Sequence, residues 1–204
     1  MRRIKVLGIT GGVGAGKSTV LAYLKEKYHA EVLQLDEAAH RLMEPGERCY
    51  DKIVAAFGRN ILAPDGTIDR RKLYQKAFVS EEQVKRLNGI VHPQVKEYVK
   101  GWIAKKQAEG SAPFLVLEAA LLLDDHYETI CDEIWYIFVN DAVRAQRLAS
   151  SRGYTAEKTA QILKNQKSEE QFRAACQFTV DNSSDFLENT YEQIDKGLKE
   201  HEFV

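Results

Sequence analysis

Gly11-Gly12-Val13-Gly14-Ala15-Gly16-Lys17-Ser18 is the stretch whose reading decides the fold. It fits G-x-x-x-x-G-K-[ST], the spacing of a phosphate-binding loop. Ahead of it, Ile4-Lys5-Val6-Leu7-Gly8-Ile9-Thr10 is an alternating-to-apolar run that predicts a buried first strand. Behind it, Ser18 to Tyr28 predicts a helix with Val20, Leu21 and Leu24 on one face. Strand, glycine loop and helix in that order separate a phosphate cradle from a chance glycine turn. The glycines let the backbone turn with positive φ and aim successive N–H groups at phosphate oxygens. The helix start adds the positive end of its dipole. Gly12, Val13, Gly14, Ala15, Gly16, Lys17, Ser18 and Thr19 are therefore the expected nucleotide-binding residues. Within them Lys17 is expected to reach the β- and γ-phosphates, and the Ser18 hydroxyl to ligate Mg²⁺. The expected ligand is a nucleoside triphosphate.

The remainder of the chain narrows the class. Its 204 residues, 44% hydrophobic and 29% charged, suffice for one α/β domain with insertions or for two small ones. A net charge of −1 argues against general nucleic-acid binding, which needs a basic surface to release counterions. Cys49, Cys131 and Cys176 are odd in number and form no CxxC pair, the pattern of reduced thiols. No run reaches the roughly 20 apolar residues that a membrane span needs. Met1-Arg2-Arg3-Ile4-Lys5 starts a strand and not a signal peptide, because Lys5 and then the glycines interrupt the apolar stretch. A soluble, cytoplasmic protein is the expectation.

Further strands are expected at Val32–Leu35, Phe114–Leu117, Ile134–Val139 and Phe178–Val180. Alternating with helices after a phosphate loop, these five predict a doubly wound parallel sheet. Too many residues separate strands two and three for a simple crossover, so about 37–112 reads as an inserted helical subdomain. Inside it Ser80 to Gln83 forms a capping box, and Pro93 is expected to open a long helix carrying Val95, Tyr98, Val99 and Trp102. Residues 1–36, 113–140 and 172–204 are the expected nucleotide-binding core, and 141–171 the expected lid.

Base selection in GTPases uses Asn-Lys-x-Asp, which is absent. A motor ATPase wants an acid ending a strand, which Glu118 supplies, together with further sensor elements. A small-molecule kinase instead needs an acceptor-side carboxylate and a mobile lid bearing arginines. Asp36, ending the second strand, suits the first role, either handling the proton of an attacking hydroxyl or holding a magnesium-bound water. A helix cap for residues 37–43 is the competing reading of Asp36. Arg147 and Arg152 flank a glycine break and suit the lid role, whereas Arg144 reads as part of a solvated helix face. Arg70, Arg71 and Lys72 can meet an anionic acceptor or simply start a surface helix. His92 marks a helix entry, and Asn182 suits either the neighbourhood of an adenine or a turn.

These features recur in one order. The glycine loop is followed by Asp36, then Glu44-Pro45-Gly46, Phe57-Gly58, Asp65 to Arg70, His92-Pro93, Leu121-Leu122, Arg147, Arg152-Gly153-Tyr154, Gln166 and Asp181-Asn182. Over essentially the whole chain this resembles the dephospho-CoA kinase family. The departures are Ala120 where a proline is usual before the Leu-Leu pair, Asp124 as the acid after the residue that follows the pair, Gln34 in place of an aspartate, Ser183 in place of glycine, and one extra residue between Arg147 and Arg152. The resemblance implies a P-loop NTPase fold and transfer of phosphate from ATP to the ribose 3′-hydroxyl of dephospho-CoA, giving CoA. It implies Lys17, Asp36, Arg147 and Arg152 as catalytic residues and Asn182 on the nucleotide side. Asp36, Arg70, His92 and Leu121 would then face the acceptor.

Overall fold

The computed structural model describes residues 3–164 and 166–204. Met1, Arg2 and Asn165, which fall inside the expected core and lid, lie outside the described residues. The chain divides into two compact units, residues 1–33 with 106–204, and residues 34–105.

The first unit is built on a five-stranded sheet. In chain order its strands are β1 (Lys5–Thr10), β2 (Glu31–Gln34), β3 (Phe114–Glu118), β4 (Glu133–Phe138) and β5 (Phe178–Asp181), arranged in space as β2-β3-β1-β4-β5. β1 pairs in parallel with both β3 and β4, and β4 pairs in parallel with β5. Helices α1 (Lys17–Tyr28), α6 (Asp141–Arg152), α7 (Ala156–Lys164), α8 (Glu169–Ala175) and α9 (Leu187–Glu200) belong to this unit. The central strands are apolar because both faces are covered: every residue of β3 is buried. Each fully buried Leu, Val or Phe there contributes about 1.5–3 kcal/mol. The core gathers Leu7, Ile9, Leu24, Phe114, Trp135 and Ile194. Trp135 meets Phe178 and Phe203 at ring-centroid distances of 4.8 and 5.9 Å.

Chain direction then dictates where a ligand can sit. From β1 the chain runs out to the edge strand β2, returns through β3, and crosses to β4 on the other side of β1. This reversal opens a crevice at the C-terminal end of β1, and the glycine loop begins there. A separate cavity of about 290 Å³, lined by Arg3, Lys5, Pro113 and Phe203, opens at the strands' N-terminal ends, away from that crevice.

The second unit is helical, with α2 (Leu35–Leu42), α3 (Tyr50–Phe57), α4 (Arg70–Ala77) and most of α5 (Glu81–Glu109). Its interior is apolar, with Ile53, Phe57, Ile61, Leu73, Val95 and Val99 buried. Arg41 donates to the Tyr98 hydroxyl at 2.8 Å, tying α2 to α5. Lys76 reaches back from α4 to the Phe57 carbonyl at 2.7 Å.

Two expectations are corrected here. Pro93 does not open a helix; it lies inside the single 29-residue helix α5. A proline forfeits one backbone hydrogen bond, and Val91, Val95 and Val99, buried on both sides of it, keep the flanking turns packed. The second strand stops at Gln34, and Leu35 and Asp36 already belong to α2. Gln34 is the extended N-cap residue, so the capping reading of Asp36 fails. Asp36 instead occupies the first turn, where a carboxylate complements the helix dipole.

Candidate active site

The glycine loop joins β1 to α1 through backbone that ordinary residues avoid. Gly16 is the N-cap of α1 with φ 83°, and no side chain caps the helix or places an acid in its first turn. Around it the loop is held from several sides. Ala15 N donates to the Gly12 carbonyl at 3.2 Å. The Asn182 side chain donates to the Ala15 carbonyl at 2.8 Å. Any Cβ at Gly16 would collide with that same Asn182 amide, so glycine is required there for space as well as for φ.

Lys17 donates to the Gly11 carbonyl at 2.9 Å and lies 3.6 Å from the Glu118 carboxylate. Both side chains are largely buried, which strengthens their attraction relative to a surface pair. Glu118 ends β3, beside β1 in the sheet. Thr10, ending β1, donates its hydroxyl to the Ala120 carbonyl at 3.2 Å and ties the two strand ends together. Ser18 is exposed in the first turn of α1.

Arg144 departs from its expected place on a solvated face. It is 8% exposed, and its Nη2 donates to the Val139 carbonyl at 3.3 Å. A Cβ on Gly12 would stand 3.1 Å from Arg144 Nη1 and 2.5 Å from Gln166 Oε1, so both side chains crowd the loop. Arg144 Nε and Gln166 Oε1 find no hydrogen-bond partner among the described residues. Burial pushes the neighbouring Tyr136 phenol up, opposed by the Arg144 charge. The i, i+4 spacing from Arg144 to buried Leu148 was the available signal for burial. Arg147 is half-buried, with one guanidinium nitrogen 3.6 Å from where a Gly16 Cβ would stand. Arg152 is exposed, at the end of α6 just before Gly153.

Leu121, 58% exposed, follows β3. With Gly12, Ala120, Asp124, Gln166 and Phe172 it lines a cavity of about 110 Å³ beside the glycine loop, where Lys167 pairs with Asp124 at 2.8 Å. Asn182 is not a surface group beside that loop. It is 2% exposed, and both ends of its amide are occupied by protein, since Thr190 donates to its Oδ1 at 2.9 Å. Thr190 had no sequence signal: a buried threonine on an amphipathic helix reads as core.

In the second unit a cavity of about 490 Å³ is lined by His40, Met43, Glu44, Pro45, Thr67, Ile68 and Arg70. Arg70 therefore faces a concave surface, and His40, which sequence reading passed over, shares it. Burial, then the Arg70 charge, lowers the His40 pKa, while Asp36 one turn earlier on α2 opposes them. His92 lies on α5, half-buried and outside that cavity's lining. Burial pushes the Cys131 and Cys176 thiols up to about 12, so both are protonated at neutral pH and poor nucleophiles.

With this geometry established, comparison with known proteins is decisive. The dephospho-CoA kinase family model matches residues 5–188. Among curated proteins, dephospho-CoA kinase of Shouchella clausii is 34% identical over 192 residues, covering 94% of this chain and 96% of that protein. The Carboxydothermus hydrogenoformans dephospho-CoA kinase is 32% identical over 191 residues, covering 94% and 91%. Among solved structures, TT1252 from Thermus thermophilus superposes with a TM-score of 0.82 at 26% identity, covering 98% of each chain. Shikimate kinase from Bacteroides thetaiotaomicron, at 12% identity, TM-score 0.56 and coverage of 97% and 98%, shares the fold. Loop, strand order and helical insertion thus agree with a match running through nearly the whole sequence, and the chain belongs to the dephospho-CoA kinase family.

Proposed function

We propose that this chain transfers the γ-phosphoryl group of ATP to the ribose 3′-hydroxyl of dephospho-CoA, giving CoA and ADP. The observation that carries the reading is the glycine loop at the sheet's reversal point, with Lys17 and the uncapped start of α1 converging there. In phosphoryl transfer the protein's work is positioning and charge stabilisation. The loop amides from Gly12 to Thr19 bind the β- and γ-phosphate oxygens. Lys17 exchanges its hydrogen bond with Gly11 for one to the γ-phosphoryl group. Arg147 and Arg152 clamp that group from the lid, residues 141–171, and Arg144 adds a fixed positive charge against Gly12.

Asp36 accepts or orients the proton of the attacking hydroxyl, holding the oxygen in line. Arg70 and His40 offer cationic and hydrogen-bonding groups to the phosphates of the acceptor, with His92 and Leu121 contributing surface to its body. Closure of the lid excludes water, which otherwise competes as acceptor. The Ser18 hydroxyl and the Glu118 carboxylate are hard oxygen donors of the kind that suits Mg²⁺, and they would help to hold it. When bound, that ion neutralises charge on the phosphates. A cytoplasmic location is part of this proposal.

The test is product formation from ATP, Mg²⁺ and dephospho-CoA, read by mass spectrometry, with adenosine and AMP as parallel acceptors. CoA formed from dephospho-CoA alone supports the assignment. Phosphorylation of a parallel acceptor without CoA reassigns the substrate. ATP binding with no phosphorylated product on any acceptor overturns the kinase reading in favour of a nucleotide-dependent switch.

A further inference from the structure

Asn182 joins parts of the first unit that are distant in sequence. Its backbone N–H donates to the Phe138 carbonyl at 2.8 Å, fixing the residue after β5 against the end of β4. Its side-chain Nδ2 donates to the Ala15 carbonyl at 2.8 Å, and its Oδ1 accepts from Thr190 Oγ1 at 2.9 Å. Thr190 is wholly buried in the first turns of α9. The orientation of the amide is set by chemistry: a backbone carbonyl can only accept, so the NH₂ end must face Ala15.

A trans peptide is planar, with its C=O and N–H pointing in opposite directions. The Ala15 carbonyl and the Gly16 N–H belong to one such plane. Holding the carbonyl outward on Asn182 therefore holds the Gly16 N–H toward the opposite side. The neighbouring peptides are fixed by other means. Ala15 N is bonded to the Gly12 carbonyl, and the Gly16 carbonyl accepts from Thr19 N at 3.1 Å within the opening turn of α1. Between these two fixed points the 15–16 peptide is the joint, and glycine at φ 83° gives it freedom to rotate.

We propose that Asn182, oriented by Thr190, is a positioning residue for phosphoryl transfer: it locks the 15–16 peptide so that the Gly16 N–H points at the nucleotide's phosphates. This rests on the kinase reading and deepens it, moving Asn182 from a base-contacting role to a role behind the loop. The pair acts before nucleotide arrives, so that binding does not have to order this amide. No part of the role concerns the acceptor.

The experiment uses the full chain and four variants, Asn182→Ala, Asn182→Asp, Thr190→Val and Thr190→Ser. Steady-state kinetics with each substrate varied are combined with the ¹H–¹⁵N resonance of Gly16 during ADP titration. For loss of one buried hydrogen bond that acts on phosphate binding, Asn182→Ala should raise KM for ATP about tenfold and lower kcat, with KM for dephospho-CoA within about twofold of the original. Asn182→Asp, which turns a carboxylate oxygen toward the Ala15 carbonyl, should do at least as much. Thr190→Val should act in the same direction by a few-fold, and Thr190→Ser should restore the original values.

The Gly16 amide should move on ADP addition in the unmodified protein. That response should shrink in Asn182→Ala and Thr190→Val and return in Thr190→Ser. A purely structural role instead lowers the folded fraction and leaves both KM values and the Gly16 response of the folded protein unchanged; that result overturns the proposal. Should Asn182→Ala fail to fold, Thr190→Val against Thr190→Ser decides by the same criteria. A Gly16 amide indifferent to ADP in the unmodified protein overturns the phosphate-loop reading itself. Persistence of the response in a folded Thr190→Val overturns the positioning role alone.

Discussion

Helices α1 and α6 begin in opposite ways. Every helix starts with backbone N–H groups that lack an intrahelical partner. At α6 the chain satisfies one of them itself: the Asn140 side chain accepts from Val143 N at 2.9 Å, and Asp141 adds charge to the first turn. Helices α4 and α8 do likewise, through Asp69 on Arg71 and Lys72 and through the Ser168–Gln171 capping box. At α1 the cap is a left-handed glycine with no side chain to bond and no acid behind it. A self-capped start adds stability and nothing more. Without a cap, α1 presents its amides and dipole to an anion from outside, and an Asp or Ser at position 16 would compete with that anion.

Removing Lys17 tests the open start most severely. Lys17→Ala should cost turnover by about a thousandfold, the upper range for loss of one group that stabilises developing charge. Near-normal turnover in a folded Lys17→Ala sample would refute the assignment. Helix α2 lies between the two types, since Gln34 makes no side-chain cap bond while Asp36 sits in the first turn. Asp36→Asn should keep ATP binding and lose at least about a hundredfold in turnover, the scale of proton-handling groups. Should it instead lose only about 0.3–1 kcal/mol of stability at full turnover, Asp36 serves the helix dipole alone.

Asn140→Ala probes the closed start. Denaturant unfolding should show a loss of about 1 kcal/mol, with KM for ATP unmoved. A rise in KM for ATP as large as that from a loop variant would erase the distinction between the two helix starts. The smallest effect belongs to the C-terminal half of α2. The folded pKa of His40 is lowered, so in the acidic range the unfolded chain binds more protons than the folded one. Stability should then fall as pH drops through the ordinary value of 6.5. His40→Gln should flatten that part of the Tm-against-pH curve; an unchanged slope would place its origin in other groups.

Much of this was legible in the sequence, for local reasons. The glycine loop and the apolar strands expected at Phe114–Leu117 and Ile134–Val139 depend on neighbours within a few positions, and spacing reports them. Two elements misled because tertiary packing overrode a local rule. Pro93 is tolerated inside α5 by the buried valines around it, and Leu35 turns helical one residue after the strand ends, carrying Asp36 with it. Charge was read least well. Arg144 is a cation by composition and a core residue by position, and a list of charged residues cannot show that its stem lies along the same stripe as Leu148. Thr190 and Asn182 meet only once β5 and α9 are folded, so the link between them and Ala15 had no local trace.

That link also sets an order of events during synthesis. The Ala15–Asn182 bond spans 167 positions. Ribosomes make the glycine loop 167 positions before the asparagine that braces it. Until Thr190 has left the exit tunnel, β1 can have its neighbours β3 and β4 while the 15–16 peptide remains free to turn. Long-range closure of this kind is slow and comes late in folding. A nascent chain thus carries a complete phosphate-loop sequence with that peptide unbraced until Asn182 and Thr190 have both emerged.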